Sequence, residues 1–199
     1  LAPKPQKNAA FGRYVLQHYT PARQKYGFHF KSYDERVFTP VIRKEIRAAA
    51  PKDLGHYTVY LPGYHDDVLM HFLRQFEVKW EVFSKHAKYA YRVDNVFIEP
   101  ISQARFQESL ISASGVLCGA GFELPSEALF LGKKTMVIPM KGHYEQTCNA
   151  LGAAEVGAST IAELDLIYHR QINYWLGQDK QAPLLYADQT EQILIDLLT

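Results

Sequence analysis

The sequence predicts an α/β fold, a doubly wound parallel sheet covered by helices on both faces. From about residue 55, short apolar runs alternate with amphipathic runs of helical length, which is typical of parallel strands joined by helices. The length of 199 residues, the 47% hydrophobic content and the formal net charge of +1 indicate a chain that buries a full core, and they exclude intrinsic disorder. We expect residues 1–50 to form a connector and residues 51–199 to form the folded domain.

The predicted elements follow one another in a regular order. Five apolar runs are the predicted strands: Tyr57–Leu61, Val78–Phe83, Asn95–Ile98, Gly115–Cys118 and Thr135–Pro139. Helices are predicted between and after them: Asp66–Gln75, Ser102–Ser112, Pro125–Leu131, Glu145–Val156, Ile161–Leu176 and Thr190–Leu198. The run over 161–176 is assigned to a helix because apolar residues recur at 161, 164, 168 and 172, and residues 40–50 also look helical. Ligands of such folds bind outside the carboxyl ends of the strands, so the loops that follow the strands are the expected site.

Composition also limits the cellular context and the metal chemistry. No apolar run approaches the roughly 18 residues that a membrane helix needs. The two cysteines, Cys118 and Cys148, have neither disulfide-framework nor metal-ligand spacing, so we expect free thiols, a reducing compartment and a cytoplasmic protein. His65 and His71 lie near two aspartates but lack further ligands at a suitable spacing, so no metal site is expected.

Charge is distributed unevenly along the chain. Residues 1–50 hold ten Lys and Arg and three Asp and Glu, whereas residues 151–199 hold two and seven. The basic, aromatic-rich front fits anionic lipid headgroups, nucleic acid or an acidic neighbour, although a solvated surface is the simpler interpretation. It lacks the dense cationic cluster of a nucleic-acid arm, so we expect no nucleic-acid partner and keep peripheral membrane association as an alternative. The first residue is Leu1 rather than Met, which favours a longer polypeptide.

A glycine-containing loop follows the fourth predicted strand. Gly119 and Gly121 precede a helix whose first turn must contain Pro125 and which Gly132 is expected to close. Uncovered amides at a helix N-terminus suit an anionic group such as a diphosphate, and a tight strand-to-helix turn is the alternative. The carboxylate of Glu127 leans back toward the same loop and suits a pair of sugar hydroxyls, unless it only complements the helix dipole.

A second polar loop follows the next strand. Glu145 and Gln146 open a helix there, with His143 before them and Asn149 after them. Together they offer acceptors and donors of the kind that recognise a polyol, although capping and dipole complementarity account for the same residue types. Gly63 and His65 follow the first strand, so we expect them to border the same cleft. One groove would then present backbone donors for phosphates and polar side chains for hydroxyls.

These motifs resemble a known donor-binding signature. The segments that carry the resemblance are Gly119-Ala120-Gly121-Phe122, Ser126-Glu127-Ala128-Leu129, Leu131-Gly132-Lys133, Val137-Ile138-Pro139, Glu145-Gln146 and Asn149-Ala150. They resemble the signature of GT-B glycosyltransferases, near family 28 and the UDP-glycosyltransferases, over about residues 55–160. By this resemblance the chain is the C-terminal, Rossmann-like half of such an enzyme, and residues 1–50 are the connector from an N-terminal half that holds the acceptor and the catalytic base.

The resemblance also implies a ligand and residue roles. It implies metal-independent transfer from a nucleotide sugar, first of all a UDP-sugar, without a cofactor. Glu127 would hold the ribose, the loop 119–121 the diphosphate and Glu145 with Gln146 the sugar, while the base would lie against the strand end at Ile98. The candidate donor-binding residues are Gly63, His65, Ile98, Gly119, Ala120, Gly121, Phe122, Ser126, Glu127, His143, Glu145, Gln146 and Asn149.

Two departures from the signature support an alternative function. Gly119 stands where many relatives have a histidine against the diphosphate, and Glu123-Leu124 stand where some have Asn-Ser. A non-catalytic binding or interaction module with a degenerate site is therefore the alternative. A nicotinamide-binding domain fits less well, because the glycine loop follows the fourth strand, whereas the dinucleotide fingerprint follows the first.

Overall fold

A seven-stranded sheet organises the computed structural model, which describes residues 2–5, 14, 18 and 26–198. Its strands are β3 (His56–Tyr60), β4 (Lys79–Ser84), β5 (Tyr91–Val93), β6 (Val96–Pro100), β7 (Gly115–Gly119), β8 (Lys134–Ile138) and β9 (Ser159–Thr160), which follow β1 (Gly27–Phe28) and β2 (Val37–Phe38) in the chain. The order across the sheet is β5-β6-β4-β3-β7-β8-β9, and β1 and β2 form a separate parallel pair. All neighbours in the large sheet are parallel except β5 and β6.

Helices cover both faces of this sheet. They are α1 (Lys44–Arg47), α2 (Asp66–Leu73), α3 (Gln103–Ser112), α4 (Glu123–Phe130), α5 (Tyr144–Glu155), α6 (His169–Gly177) and α7 (Thr190–Leu198), with a short 3-10 turn at Leu166–Tyr168 before α6. One face is buried in a cluster that includes Val59, Trp80 and Trp175, and the other in a cluster that includes Ile46, Val116 and Leu129. Burial on both faces confirms the predicted doubly wound α/β fold.

The predicted strands and most of the predicted helices are present. All five strands appear with bounds that differ by at most two residues from the prediction. Gly132 closes α4 as expected, with a φ of +69° and with the amide of Lys133 donating to the carbonyl of Ala128 at 2.9 Å. No helix within residues 26–198 has both the length and the apolar character needed to cross a membrane.

The helix predicted over 161–176 starts later than expected. The amide of Ile161 donates to the carbonyl of Val137 at 3.3 Å, so the chain is still bound to the sheet at this point. Asp165 then accepts from the amide of Ile167, and the helix proper begins at His169. In the segment 40–50 only Lys44–Arg47 is helical. The apolar residue at 161 therefore belongs to the sheet core and not to a helical stripe.

Candidate functional site

The glycine loop is fixed at the carboxyl edge of the sheet. The amide of Ala120 donates to the carbonyl of Ile138 at 3.0 Å, and the side-chain amide of Asn149 donates to the carbonyl of Ala120 at 3.2 Å. The first backbone bond of α4 runs from the amide of Ser126 to the carbonyl of Phe122, at 3.2 Å. The amides of residues 121–124 have no acceptor among the described residues, as expected for a helix start, so they remain available to an anion.

One hollow lies on the α4 side of this loop, and we call it the Glu127 pocket. Its volume is about 280 Å³ and its lining consists of Arg43, Tyr60, Ile101, Gln103, Phe106, Glu123, Leu124 and Glu127. Nε of Arg43 lies 2.6 Å from Oε1 of Glu127, and Nη2 of Arg43 lies 2.7 Å from Oε2. This hydrogen-bonded pair raises the pKa of the Arg43 guanidinium, so the cation stays charged. A buried carboxylate, its cation and apolar walls thus share one cavity.

A second hollow lies beyond the loop, and we call it the Gln146 pocket. It has a volume of about 240 Å³, and it is formed where β3, β7 and β8 end. Its lining consists of Leu61, Pro62, Gly63, Tyr64, Gly119, Ile138, Pro139, Met140, Lys141, Gln146, Ala162 and Glu163. Oε1 of Gln146 accepts from the amide of Met140 at 2.8 Å, and this bond ties the start of α5 to the end of β8.

The family of the chain follows from a comparison with models of known protein families. A family model described as glycosyl transferase family 1 matches residues 3–178. The chain belongs to glycosyl transferase family 1. A comparison of this family 1 chain with curated proteins finds no match.

Three solved structures that are similar to this family 1 chain are described as glycosyltransferases. The glycotransferase of kitacinnamycin is 15% identical with a TM-score of 0.50, and the match covers 72% of this chain and 42% of that one. The glycosyltransferase VinC in complex with DTDP is 13% identical with a TM-score of 0.49, covering 80% and 41%. SnogD from Streptomyces nogalater is 14% identical with a TM-score of 0.44, covering 79% and 47%. The chain thus spans less than half the length of these proteins, and its mostly parallel α/β sheet is Rossmann-like, as in GT-B glycosyltransferases.

Several residues expected at the site of this family 1 chain lie on the edge where the strands end. Gly63, Gly119 and Gln146 line the Gln146 pocket, whereas Glu127 lines the Glu127 pocket. Both pockets lie where β3 ends, because Tyr60 lines the Glu127 pocket and the next residue, Leu61, lines the Gln146 pocket. The polar residues expected in one groove therefore divide between two hollows. The loop runs from Gly119, which lines the Gln146 pocket, to Glu123 and Leu124, which line the Glu127 pocket.

Ile98 and His65 are among the expected residues that do not reach either hollow. Ile98 is fully buried in the core because β6 continues to pair with β4 as far as Pro100, and the exposed residue beside the Glu127 pocket is Ile101. In this structure Ile98 therefore packs in the core and is not exposed in either hollow. His65 is absent from the lining of both pockets, and its ring stacks on that of His86 at a centroid distance of 4.7 Å.

Three further expected residues stabilise the loops. The hydroxyl of Ser126 is buried and donates to the carbonyl of Phe122 at 2.7 Å. Asn149 is also buried and holds the carbonyl of Ala120, while Nδ1 of His143 caps α5 by accepting from the amide of Gln146 at 3.4 Å. Glu145 is exposed in the first turn of α5 and lines neither hollow. These side chains shape the edge, and Gln146 reaches into a hollow from α5.

Sequence reasoning missed Arg43 as a partner of the site. The residue was visible as a basic position of the connector, but it lies 84 positions from Glu127, and no local spacing indicates that the two meet. Tyr60, Ile101, Gln103 and Phe106 were missed as well, because they line the Glu127 pocket from strand ends and from α3. Among the described residues, no group of three or more His, Cys, Asp or Glu side chains is placed to hold a metal ion.

Proposed function

We propose that the chain is the donor-binding, C-terminal half of an inverting, metal-independent glycosyltransferase that uses a UDP-sugar. Within the GT-B group we place it near family 28 and the UDP-glycosyltransferases. Residues 51–199 bind the donor, and residues 1–50 lead from an N-terminal half that carries the acceptor site and the catalytic base. Family membership and fold support glycosyl transfer, and the chain's coverage of only 41–47% of similar solved chains is compatible with a missing half.

The layout of the carboxyl edge is the observation that carries this proposal. A nucleotide sugar has a hydroxyl-bearing nucleoside, an anionic diphosphate and a polar sugar, in that order. The Glu127 pocket offers a carboxylate for ribose hydroxyls and the apolar side chains of Ile101 and Phe106 for a base. The free amides of residues 121–124 face the diphosphate, and the Gln146 pocket takes the sugar.

The same layout gives the donor-binding half a role in the transfer step. In an inverting transfer, the acceptor oxygen bonds to the anomeric carbon while the bond from that carbon to the diphosphate oxygen breaks. The leaving diphosphate takes the bonding electron pair, and the amides at the start of α4 stabilise the charge that develops on it. The base in the other half of the enzyme takes the acceptor proton. In this proposal the protein acts in the cytoplasm, at or near a membrane surface.

Calorimetric titration of the chain with UDP and UDP-sugars tests the proposal. We expect saturable binding, and we expect Glu127→Ala to weaken it by about tenfold or more because it removes a charged hydrogen-bond acceptor. Glu77→Ala is the matched control, since Glu77 is an exposed acid outside both pockets. Affinity in EDTA should equal affinity in Mg²⁺ within about twofold, because amides and not a metal meet the phosphates. The absence of heat with every nucleotide would refute the proposal.

The second candidate is a non-catalytic module with a degenerate site. Glu123 favours it, because this exposed carboxylate stands in the first turn of α4, where a phosphate would be repelled unless the side chain turns away. The triple variant with Gly119→His, Glu123→Asn and Leu124→Ser restores the residues of the signature. A Cβ at position 119 would meet only the carbonyl oxygen of Ile138, at 4.0 Å, so the first carbon of a side chain fits there without a clash. A degenerate site should gain UDP affinity in this variant, and a specialised site should lose it.

A further inference from the structure

The ion pair between Arg43 and Glu127 is asymmetric in its exposure. The side chain of Glu127 is only 6% exposed, whereas that of Arg43 is 43% exposed. Two parallel hydrogen bonds of 2.6 and 2.7 Å join the guanidinium to both carboxylate oxygens. Burying a carboxylate costs free energy unless it is paired and hydrogen-bonded, so the pair matters more for the buried Glu127 than for the half-exposed Arg43.

The pair leaves Glu127 able to bind something else. Each carboxylate oxygen accepts one N–H from Arg43 and keeps a second lone pair. Because Glu127 lines the pocket, these lone pairs are the acceptors that the carboxylate retains for a donor from a ligand. Arg43 neutralises the charge of Glu127, and Glu123 on the rim adds a negative charge. An uncharged hydroxyl-bearing group therefore fits this pocket better than a phosphate.

Arg43 is held in place by the short helix that follows it. Ile46 of α1 is fully buried, and Arg47 lies over the ring of Phe130 in α4 at 5.3 Å. Nη1 of Arg47 also donates to the carbonyl of Tyr186 at 2.7 Å. Two arginines of the connector thus contact α4, but only Arg43 touches a carboxylate that lines the pocket. Arg47 is therefore a natural control, since it shares the packing of α1 on α4 without the contact to Glu127.

We propose that Arg43 is a positioning residue for nucleoside recognition: it fixes the carboxylate of Glu127 so that the free lone pairs accept the ribose hydroxyls. This inference rests on the proposed function of the Glu127 pocket. It makes the connector a part of the donor site, although the connector precedes the first strand of the large sheet. Recognition of the ribose then depends on Arg43 through its hydrogen bonds to Glu127.

The test compares the affinity of the chain for UDP and for 2′-deoxy-UDP. We expect the wild-type chain to prefer UDP by about tenfold, because a hydroxyl that donates to a carboxylate contributes about that factor. Arg43→Met should lower the preference to less than about twofold and leave the affinity for 2′-deoxy-UDP almost unchanged. Arg47→Met should keep the preference, even if it lowers the melting temperature. If the role of Arg43 were purely structural, Arg43→Met would lower the affinities for UDP and for 2′-deoxy-UDP by the same factor.

The possible results distinguish failure of the inference about Arg43 from failure of the proposed function. A preference that survives in Arg43→Met, or an equal loss for both ligands, overturns the inference while UDP binding still supports the proposed function. The absence of UDP binding by the wild-type chain overturns both. If Arg43→Met does not fold, Arg43→Lys keeps the charge but loses the paired geometry, so its preference should be intermediate. Combining Arg43→Lys with Glu127→Gln should then give the preference of Glu127→Gln alone, and any further loss contradicts the inference.

Discussion

Lys133 is a buried lysine whose ammonium group donates to three backbone carbonyls. The distances are 2.6 Å to Lys52, 2.7 Å to Ile111 and 2.8 Å to Ala113. The side chain thereby connects the end of α3 to the segment that precedes β3. Burial lowers the pKa of Lys133 from 10.5 to about 8. The residue is therefore both a structural tie and a group whose charge changes near neutral pH.

This pKa predicts a rise of stability with pH. Between about pH 8 and pH 10 the folded chain has released the proton of Lys133 and the unfolded chain still holds it, so the free energy of unfolding should increase with pH in that range. Below pH 8 both the folded and the unfolded chain hold the proton, so Lys133 does not make the free energy of unfolding depend on pH. Urea unfolding at several pH values checks this, with Lys133→Met as the control that lacks the increase. If the free energy of unfolding changed with pH in the same way in the wild type and in Lys133→Met, the lowered pKa of Lys133 would be contradicted.

Single residues of the site were predictable where their type and spacing were informative. The glycines at 119 and 121, the carboxylate at 127 and the amide at 146 are found at or beside the strand ends. The burial of Ile98 was not predictable, because an apolar strand does not reveal where its pairing ends, and β6 runs on to Pro100. The contact of Arg43 with Glu127 depends on tertiary packing, which no local pattern encodes.

At the scale of elements, the segment of residues 29–33 packs on α5 through a close contact. The imidazole of His29 is buried against Gly152, and a Cβ on Gly152 would lie 1.8 Å from Cε1 of His29. Beside this contact, Glu155 accepts from the hydroxyl of Tyr33 at 2.8 Å and pairs with Lys31 at 2.6 Å. The helix that presents Gln146 is thus braced by the connector at its other end.

This packing predicts a steric cost at Gly152. Gly152→Ala should lower the free energy of unfolding by about 1–3 kcal/mol, because the buried imidazole must move and the surrounding packing resists it. Gly177→Ala is the control, since a Cβ at that helix end would meet nothing within 4 Å. Chemical unfolding of both variants measures the difference. If the two variants were equally stable, His29 would not be packed against α5 in solution.

The strands that were predictable from the sequence are those that bury much apolar surface, and the strands that were not predictable bury little. The five strands of the sheet interior are apolar runs, and the sequence marks each of them. The edge strands β5 and β9 have only three and two residues, and Ser159–Thr160 is entirely polar, so neither has a pattern to detect. The start of α6 was misjudged because the apolar residue at 161 fits a helical period while being bound to β8.

At the scale of the whole molecule, the candidate site combines segments far apart in the chain. The Glu127 pocket takes residues from the connector, from β3, from the segment around the start of α3 and from α4. Parallel topology brings the strand ends to one edge, and this much follows from the sequence pattern. The division into two hollows does not, because it depends on which face of the sheet each side chain occupies.

The uneven charge of the whole chain leads to a prediction about membranes. The first 50 residues carry ten cationic and three anionic side chains, and much of that segment, including Tyr19, lies outside the described residues. In flotation experiments the chain should be recovered in the vesicle fraction when the vesicles are anionic. This recovery should be lost at high salt, because salt screens the attraction between the basic residues and the anionic headgroups. Equal recovery with neutral vesicles would contradict an electrostatic association with membranes.

The central claim is that the free amides of residues 121–124 bind a diphosphate. Titration of ¹⁵N-labelled chain with UDP, followed by amide chemical shifts, tests it most directly. We expect saturable shifts at the amides of Gly121, Phe122, Glu123 and Leu124, with little change at His56, where β3 begins at the opposite edge of the sheet. Saturable shifts confined to that opposite edge, or no shifts at millimolar UDP, would contradict the claim.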